Sequence, residues 1–167
     1  DANLRGDLFQ VCDDKIRDLR VRWNAHSVHV RGQSWRTGLA EIAAPSTDEG
    51  WLFTMDPMTF VSDNPNAGHD NNLRPNDVDL LIQFFRRFGN FGKRWVISIF
   101  CFELRRGPRL NRYQLFLDEM ERFRLALGLH KETHEVSYGN PHVASVFSSS
   151  TELLDRIREE WQTLHNV

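Results

Sequence analysis

The run Arg94 to Phe102, RWVISIFCF, constrains this chain more than any other stretch. It is apolar at successive positions rather than alternate ones, so a strand made from it must be covered on both faces. Strands of that kind lie inside mostly parallel sheets that carry helices on either side. A second apolar run, Trp51-Leu52-Phe53-Thr54-Met55, ends abruptly in Asp56-Pro57. It reads as another buried strand, one that delivers a carboxylate to the edge of the sheet. Proline donates nothing to a ladder, so the strand stops there and a loop begins. The polar, turn-rich segment Ser62 to Asp77 then reads as a functional loop rather than a tight connector. An ordinary strand exit with a solvated Asp leaves the same local signature.

The remaining segments alternate in the same manner. Leu8 to Cys12 is a short apolar strand followed by Asp13-Asp14, and Ile16, Leu19 and Trp23 then keep helical spacing. Ser27 to Arg31 alternates as a half-buried strand does, and Ser34 is placed to cap a helix over Trp35–Ala43. Pro75-Asn76-Asp77 opens a helix with Val78, Leu81, Phe84, Phe85 and Phe88 on one face, ending at Gly89. After RWVISIFCF, a loop at Arg105–Arg109 leads to a helix over Asn111–Leu127 with Gly128 as its stop. His134–Tyr138 and Pro141–Ser148 read as two strands about Gly139-Asn140. Ser149 to Glu152 matches a capping box for a last helix striped by Leu153, Leu154, Ile157, Trp161 and Leu164. Four strand–helix units and a closing hairpin imply a three-layer, mostly parallel α/β sheet with an antiparallel strand at one edge.

The chain has 167 residues, enough for a single domain over 1–167 with a sizeable core. No stretch approaches a membrane span, and the opening DANLRGD has neither a basic nor an apolar leader. Cys12 and Cys101 sit in apolar runs as buried free thiols do, which favours a cytoplasmic setting. The net charge is only −2, but it is unevenly spread. Gln83 to Arg112 holds eight Lys/Arg against the single acid Glu103, and Ala44 to Leu80 holds seven Asp/Glu against Arg74. Blocks of this kind either neutralise each other across a fold or face charged partners. The histidines show no ligand spacing, so no metal is expected.

With that order in hand, the chain resembles the class I S-adenosylmethionine-dependent methyltransferases, entered part-way along. Within the class it looks most like the nucleic-acid amino-methyltransferases, such as the adenine-N6 ribosomal RNA enzymes. The resemblance implies a Rossmann-like sheet with a C-terminal antiparallel hairpin. It matches Asp13, after LFQVC, to the acid that holds the cofactor ribose, and Gln33, Ser34 and Trp35, after VHVRG, to the stretch near the cofactor adenine. Asp56-Pro57-Met58-Thr59-Phe60 resembles the Asp/Asn-Pro-Pro-aromatic motif. Met58 replaces its second proline, and Phe60 stands one residue late. In that motif the Asp side chain and the neighbouring carbonyl orient the amine, here Asp56 and Pro57, while the aromatic stacks on a flipped base.

The resemblance also implies a first strand and a glycine-rich turn for the cofactor, and nothing before Leu8 supplies them. That strand belongs at the middle of the sheet, so without it both neighbours expose ladder groups and apolar side chains. An N-terminally shortened sequence, a closed-up sheet, and a second chain filling the gap all account for this. Ligands collect at the carboxyl ends of parallel strands, a rim on which Arg105, Arg106, Arg109 and Arg112 would join Asp56 to meet RNA or DNA phosphates. A solvated loop, or pairing with the acidic loop, is the plainer account of those arginines. Two functions follow: amino-methylation of a nucleic-acid base with S-adenosylmethionine, or a non-catalytic binding or assembly module, as a homodimer covering an exposed strand edge.

Overall fold

The computed structural model describes residues 5–9, 27–31, 34–43, 50–57, 60, 72–102, 108–138 and 140–165. The chain divides into two compact units, Asp1–Ala44 and Pro45–Val167. The predicted helix after Asp14 and the residues Asp13, Gln33, Arg105 and Arg106 lie outside the described residues.

In the first unit, β1 (Arg5–Phe9) and β2 (Ser27–Arg31) pair in parallel, with Arg5 opposite Ser27 and Phe9 opposite Arg31. β1 thus starts ahead of the apolar run that announced it, because pairing extends it through Arg5-Gly6-Asp7. Helix α1 (Trp35–Gly38) is shorter than its predicted span and tightens into a 3-10 turn over Leu39–Glu41. Gly38 has little helical preference, and a tighter turn is a common way for a helix end to satisfy its carbonyls. Ser34 occupies the N-cap position through its carbonyl, which accepts the Gly38 N–H at 3.0 Å.

The second unit is a four-stranded sheet of β3 (Trp51–Met55), β4 (Trp95–Phe102), β5 (His130–Tyr138) and β6 (Asn140–Ser148), in the order β3-β4-β6-β5. β3 and β4 are parallel, and β6 runs antiparallel to both β4 and β5. The antiparallel strand is therefore second from the edge, not at it as the hairpin pattern suggested. The chain lays down β5 outermost and returns through β6 against β4. β4 is buried through Trp95, Ile97, Ile99 and Cys101, and its other face carries buried Ser98 between half-buried Val96 and Phe100. The sequence reading of a doubly covered strand matches this placement between two neighbours.

β3 departs from its expectation. Its residues alternate between half-buried and exposed, and Leu52 is 65% exposed. The face carrying Leu52 and Thr54 is exposed, so the continuous apolar run did not mean burial on two.

Helices α2 (Pro75–Arg86), α3 (Pro108–Leu127) and α4 (Thr151–His165) cover the sheet. Neighbouring residues of β6 face opposite ways. Phe147 meets Phe123 of α3 at 5.0 Å between ring centroids, whereas Ala144 and Val146 cluster with Leu154 of α4. Trp51 is the centre of the larger cluster, with Trp95 at 5.2 Å, Phe88 at 5.6 Å and Phe85 at 5.9 Å. Tilted and edge-on ring pairs of this kind each contribute about 1 kcal/mol beyond the area they bury.

The helix ends follow local chemistry. The Asp77 carboxylate accepts the Arg74 N–H at 3.0 Å, closing the first turn of α2. α3 ends in a Schellman motif: the Leu129 N–H donates to the Arg124 carbonyl at 3.1 Å, the Gly128 N–H donates to the Leu125 carbonyl at 3.3 Å, and Gly128 has φ +64°. Ser150, not Ser149, caps α4, its Oγ accepting the Leu153 N–H at 3.2 Å. Ser149 instead donates to the Gly92 carbonyl at 3.3 Å. Arg122 ties α3 to α2 through Asp79 at 2.5 Å, and Arg86 ties the other end through the Ala126 carbonyl at 3.2 Å.

Candidate functional site

The parallel register of β3 and β4, with Met55 opposite Ile99, sends both strands out at one rim of the sheet. Asp56 follows Met55 directly and its side chain is exposed, while Pro57 is buried. A carboxylate presented to solvent from the end of a strand can accept hydrogen bonds from a ligand there. The chain leaving β4 enters α3, whose first turns carry Arg109 and Arg112; the Arg112 side chain is exposed. Arg112 lies one helical turn before Phe116, and Phe116 meets Phe60 at 5.8 Å. Asp56, Phe60 and the start of α3 are thus brought to the same end of the sheet.

Phe60 itself faces inward. It is 0% exposed and forms a parallel bridge with Leu73, which is 1% exposed. Cys101 lies beneath it. Burial pushes the Cys101 thiol up to about 11, against a hydrogen bond from the Phe60 backbone, so this cysteine is no thiolate at neutral pH. The Phe60–Leu73 bridge holds together the two ends of the polar segment between them. In this arrangement the ring is a core piece, and a base has no access to it.

Of the residues matched to cofactor binding, Ser34 and Trp35 are described, both half-buried and both in the first unit. The Arg36 guanidinium lies 4.8 Å from the centroid of the Trp35 ring.

A groove that the motifs did not announce lies at the far side of the second unit. It measures about 450 Å³ and is lined by Glu132, Thr133, His134, Arg158, Trp161 and Gln162. His134 is 8% exposed, packs on Trp161 at 5.3 Å and lies 3.5 Å from Glu132. Burial lowers its pKa from the ordinary value, Glu132 opposes that shift, and Arg158 adds to it. The available signal was the alternation of Glu132 with His134, the predicted strand start, since β5 begins earlier, at His130. Among the described residues no group of His, Cys, Asp or Glu is arranged to hold a metal ion, and no helix is long and apolar enough to cross a membrane.

No protein-family model matches the chain, and no curated protein sequence matches it significantly. Among solved structures, it is similar to a candidate rRNA methylase from Clostridium thermocellum, at 12% identity and a TM-score of 0.50. The match covers 89% of this chain and 76% of that one. Identity so low speaks to the fold alone: the chain has a mixed α/β, methyltransferase-like fold.

Proposed function

We propose that this chain, as a single three-layer domain over 1–167 of the cytoplasm, methylates an exocyclic amine of an RNA or DNA base with S-adenosylmethionine. The observation that carries the reading is the exposed Asp56 carboxylate at the end of β3, on the rim where β4 runs toward the arginines of α3. In this reading Asp56 and the Pro57 carbonyl accept hydrogen bonds from the amine and turn its lone pair toward the incoming methyl group. Arg105, Arg106, Arg109 and Arg112 hold phosphates beside it. Phe60 is a buried core ring in this reading and does not stack on the base.

For the cofactor, the proposed set is Asp13, Gln33, Ser34 and Trp35; the Ser34 side chain makes no cap hydrogen bond, and one face of the Trp35 ring carries Arg36. The cofactor supplies the electrophilic methyl group; the chain orients the acceptor.

The second reading is a binding or assembly module without catalysis, paired with a second copy along the outer edge of β3. One observation favours it: the Phe60 ring is enclosed. Isothermal titration with S-adenosylmethionine and its demethylated product separates the two. Micromolar binding together with loss of transfer in a folded Asp56→Ala variant supports the first. Absence of binding by the full chain sinks it.

A further inference from the structure

The stretch joining α2 to β4 carries Arg86, Arg87, Lys93 and Arg94, and all four side chains are exposed. No Asp or Glu occurs between Asp79 and Glu103 in the sequence, so the stretch itself is purely basic. Its backbone is held in place. Gly89 takes φ +73°, the Trp95 N–H donates to the Gly92 carbonyl at 3.0 Å, and the Trp51 N–H donates to the Arg94 carbonyl at 3.3 Å. Two of the guanidinium groups are oriented as well. Arg87 lies 4.8 Å from the Phe84 ring centroid and 5.3 Å from that of Phe88, and Arg86 donates to the Ala126 carbonyl. Guanidinium groups positioned in this way lose less freedom when they grip a ligand.

We propose that this end of the sheet, at the amino ends of β3 and β4, is a docking surface for the phosphate backbone of a nucleic acid. It lies opposite the rim that carries Asp56, and it does not depend on methyl transfer. Three of the four cations are arginines, whose planar forks match phosphate oxygens. Exposed Gln83 and Asn90 add amide groups that suit sugar hydroxyls and phosphates. An anionic membrane surface would call for apolar side chains beside the charges, free to enter the lipid. Here the neighbouring rings of Phe84, Phe85, Phe88 and Phe91 pack against one another and against Trp51 and Trp95 instead.

The test is fluorescence anisotropy of a short labelled RNA, and of DNA of the same sequence, titrated with the full chain over a range of salt. The R86Q/R87Q/K93Q/R94Q variant is expected to bind more than tenfold more weakly at about 0.1 M salt, with a log–log salt slope shallower by about 3 for a single strand. The K93E/R94E variant leaves the stacked Arg87 untouched and is expected to lose binding in the same direction while keeping its circular dichroism. An R109Q/R112Q variant tests the other rim. If it alone loses binding and the first two bind as the parent does, the docking surface is overturned while the methyl-transfer reading survives. Failure of the parent chain to bind either strand also overturns the proposal. So does capture of the parent chain by phosphatidylserine-containing vesicles in place of nucleic acid.

Discussion

Replacing Phe60 by Ala separates a structural anchor from an aromatic that waits for a substrate. Its ring is 0% exposed, meets Phe116 at 5.8 Å and sits in a bridge to Leu73. Removing a ring from water stabilises by about 2–3 kcal/mol. The edge-on contact with Phe116 adds about 1 kcal/mol, and the space left behind closes only in part. The expected loss is therefore about 3–5 kcal/mol, the range for Phe→Ala in well-packed cores. Phe60→Leu keeps most of the volume and is expected to cost about 1.5 kcal/mol or less. Asp56→Ala, at an exposed position one strand-end away, is expected to change stability by no more than about 0.5 kcal/mol. Urea unfolding followed by far-ultraviolet circular dichroism and by tryptophan fluorescence measures all three. A loss below about 1 kcal/mol for Phe60→Ala would refute the anchor, because no ring enclosed on all sides leaves so cheaply.

Two further outcomes follow from single residues. Gly128→Ala is expected to cost about 1 kcal/mol in thermal or urea unfolding. A Cβ there would meet nothing within 4 Å, so the cost comes from φ +64° alone, and Gly50→Ala, equally open but without positive φ, should show no such loss. Because burial holds the His134 pKa below its ordinary 6.5, the unfolded chain takes up the proton first. The His134 contribution to stability is thus whole above about pH 6.5, begins to fall there, and is lost as pH drops through the lower folded-state pKa. Melting temperatures of His134→Gln should fall less steeply on acidification than those of the parent chain.

The elements were legible where one residue type dictates local geometry. Gly89 and Gly128 marked helix ends because each takes positive φ, and Pro75 and Asp77 marked a start. Strand ends were harder to read, since ladder partners rather than intrinsic preference decide them. β5 runs from His130 because Lys131, Glu132 and Thr133 pair with Phe147, Val146 and Ser145, a long-range fact absent from the local pattern. The placement of β6 between β4 and β5 is of the same kind. At the candidate site, Asp56-Pro57 was recognisable from the strand break, but the fate of Phe60 was not. Its burial depends on Phe116 and Leu73, which lie far along the chain in one case and beyond a polar loop in the other.

β3 shows how one pattern can support two burial states. WLFTM and WVISIFCF look alike in sequence, yet the second is covered on both faces and the first leaves Leu52 65% exposed. The difference is the layer on the second face, where Val96 and Phe100 of β4 pack against the cluster of Ala144, Val146 and Leu154. β4 has β3 and β6 on its two sides, whereas β3 has a ladder partner on one side alone among the described residues. An apolar run on an edge strand costs solubility unless something covers it, and natural edges are usually blunted by charge, proline or a bulge. Within β3 there is no charge and no proline, and both appear only at Asp56-Pro57, where the strand ends. The composition of β3 is that of a strand built to be flanked, so a second copy pairing along its outer edge is expected to crosslink through a Leu52→Cys variant, and a chain that stays monomeric under the same oxidation refutes that pairing.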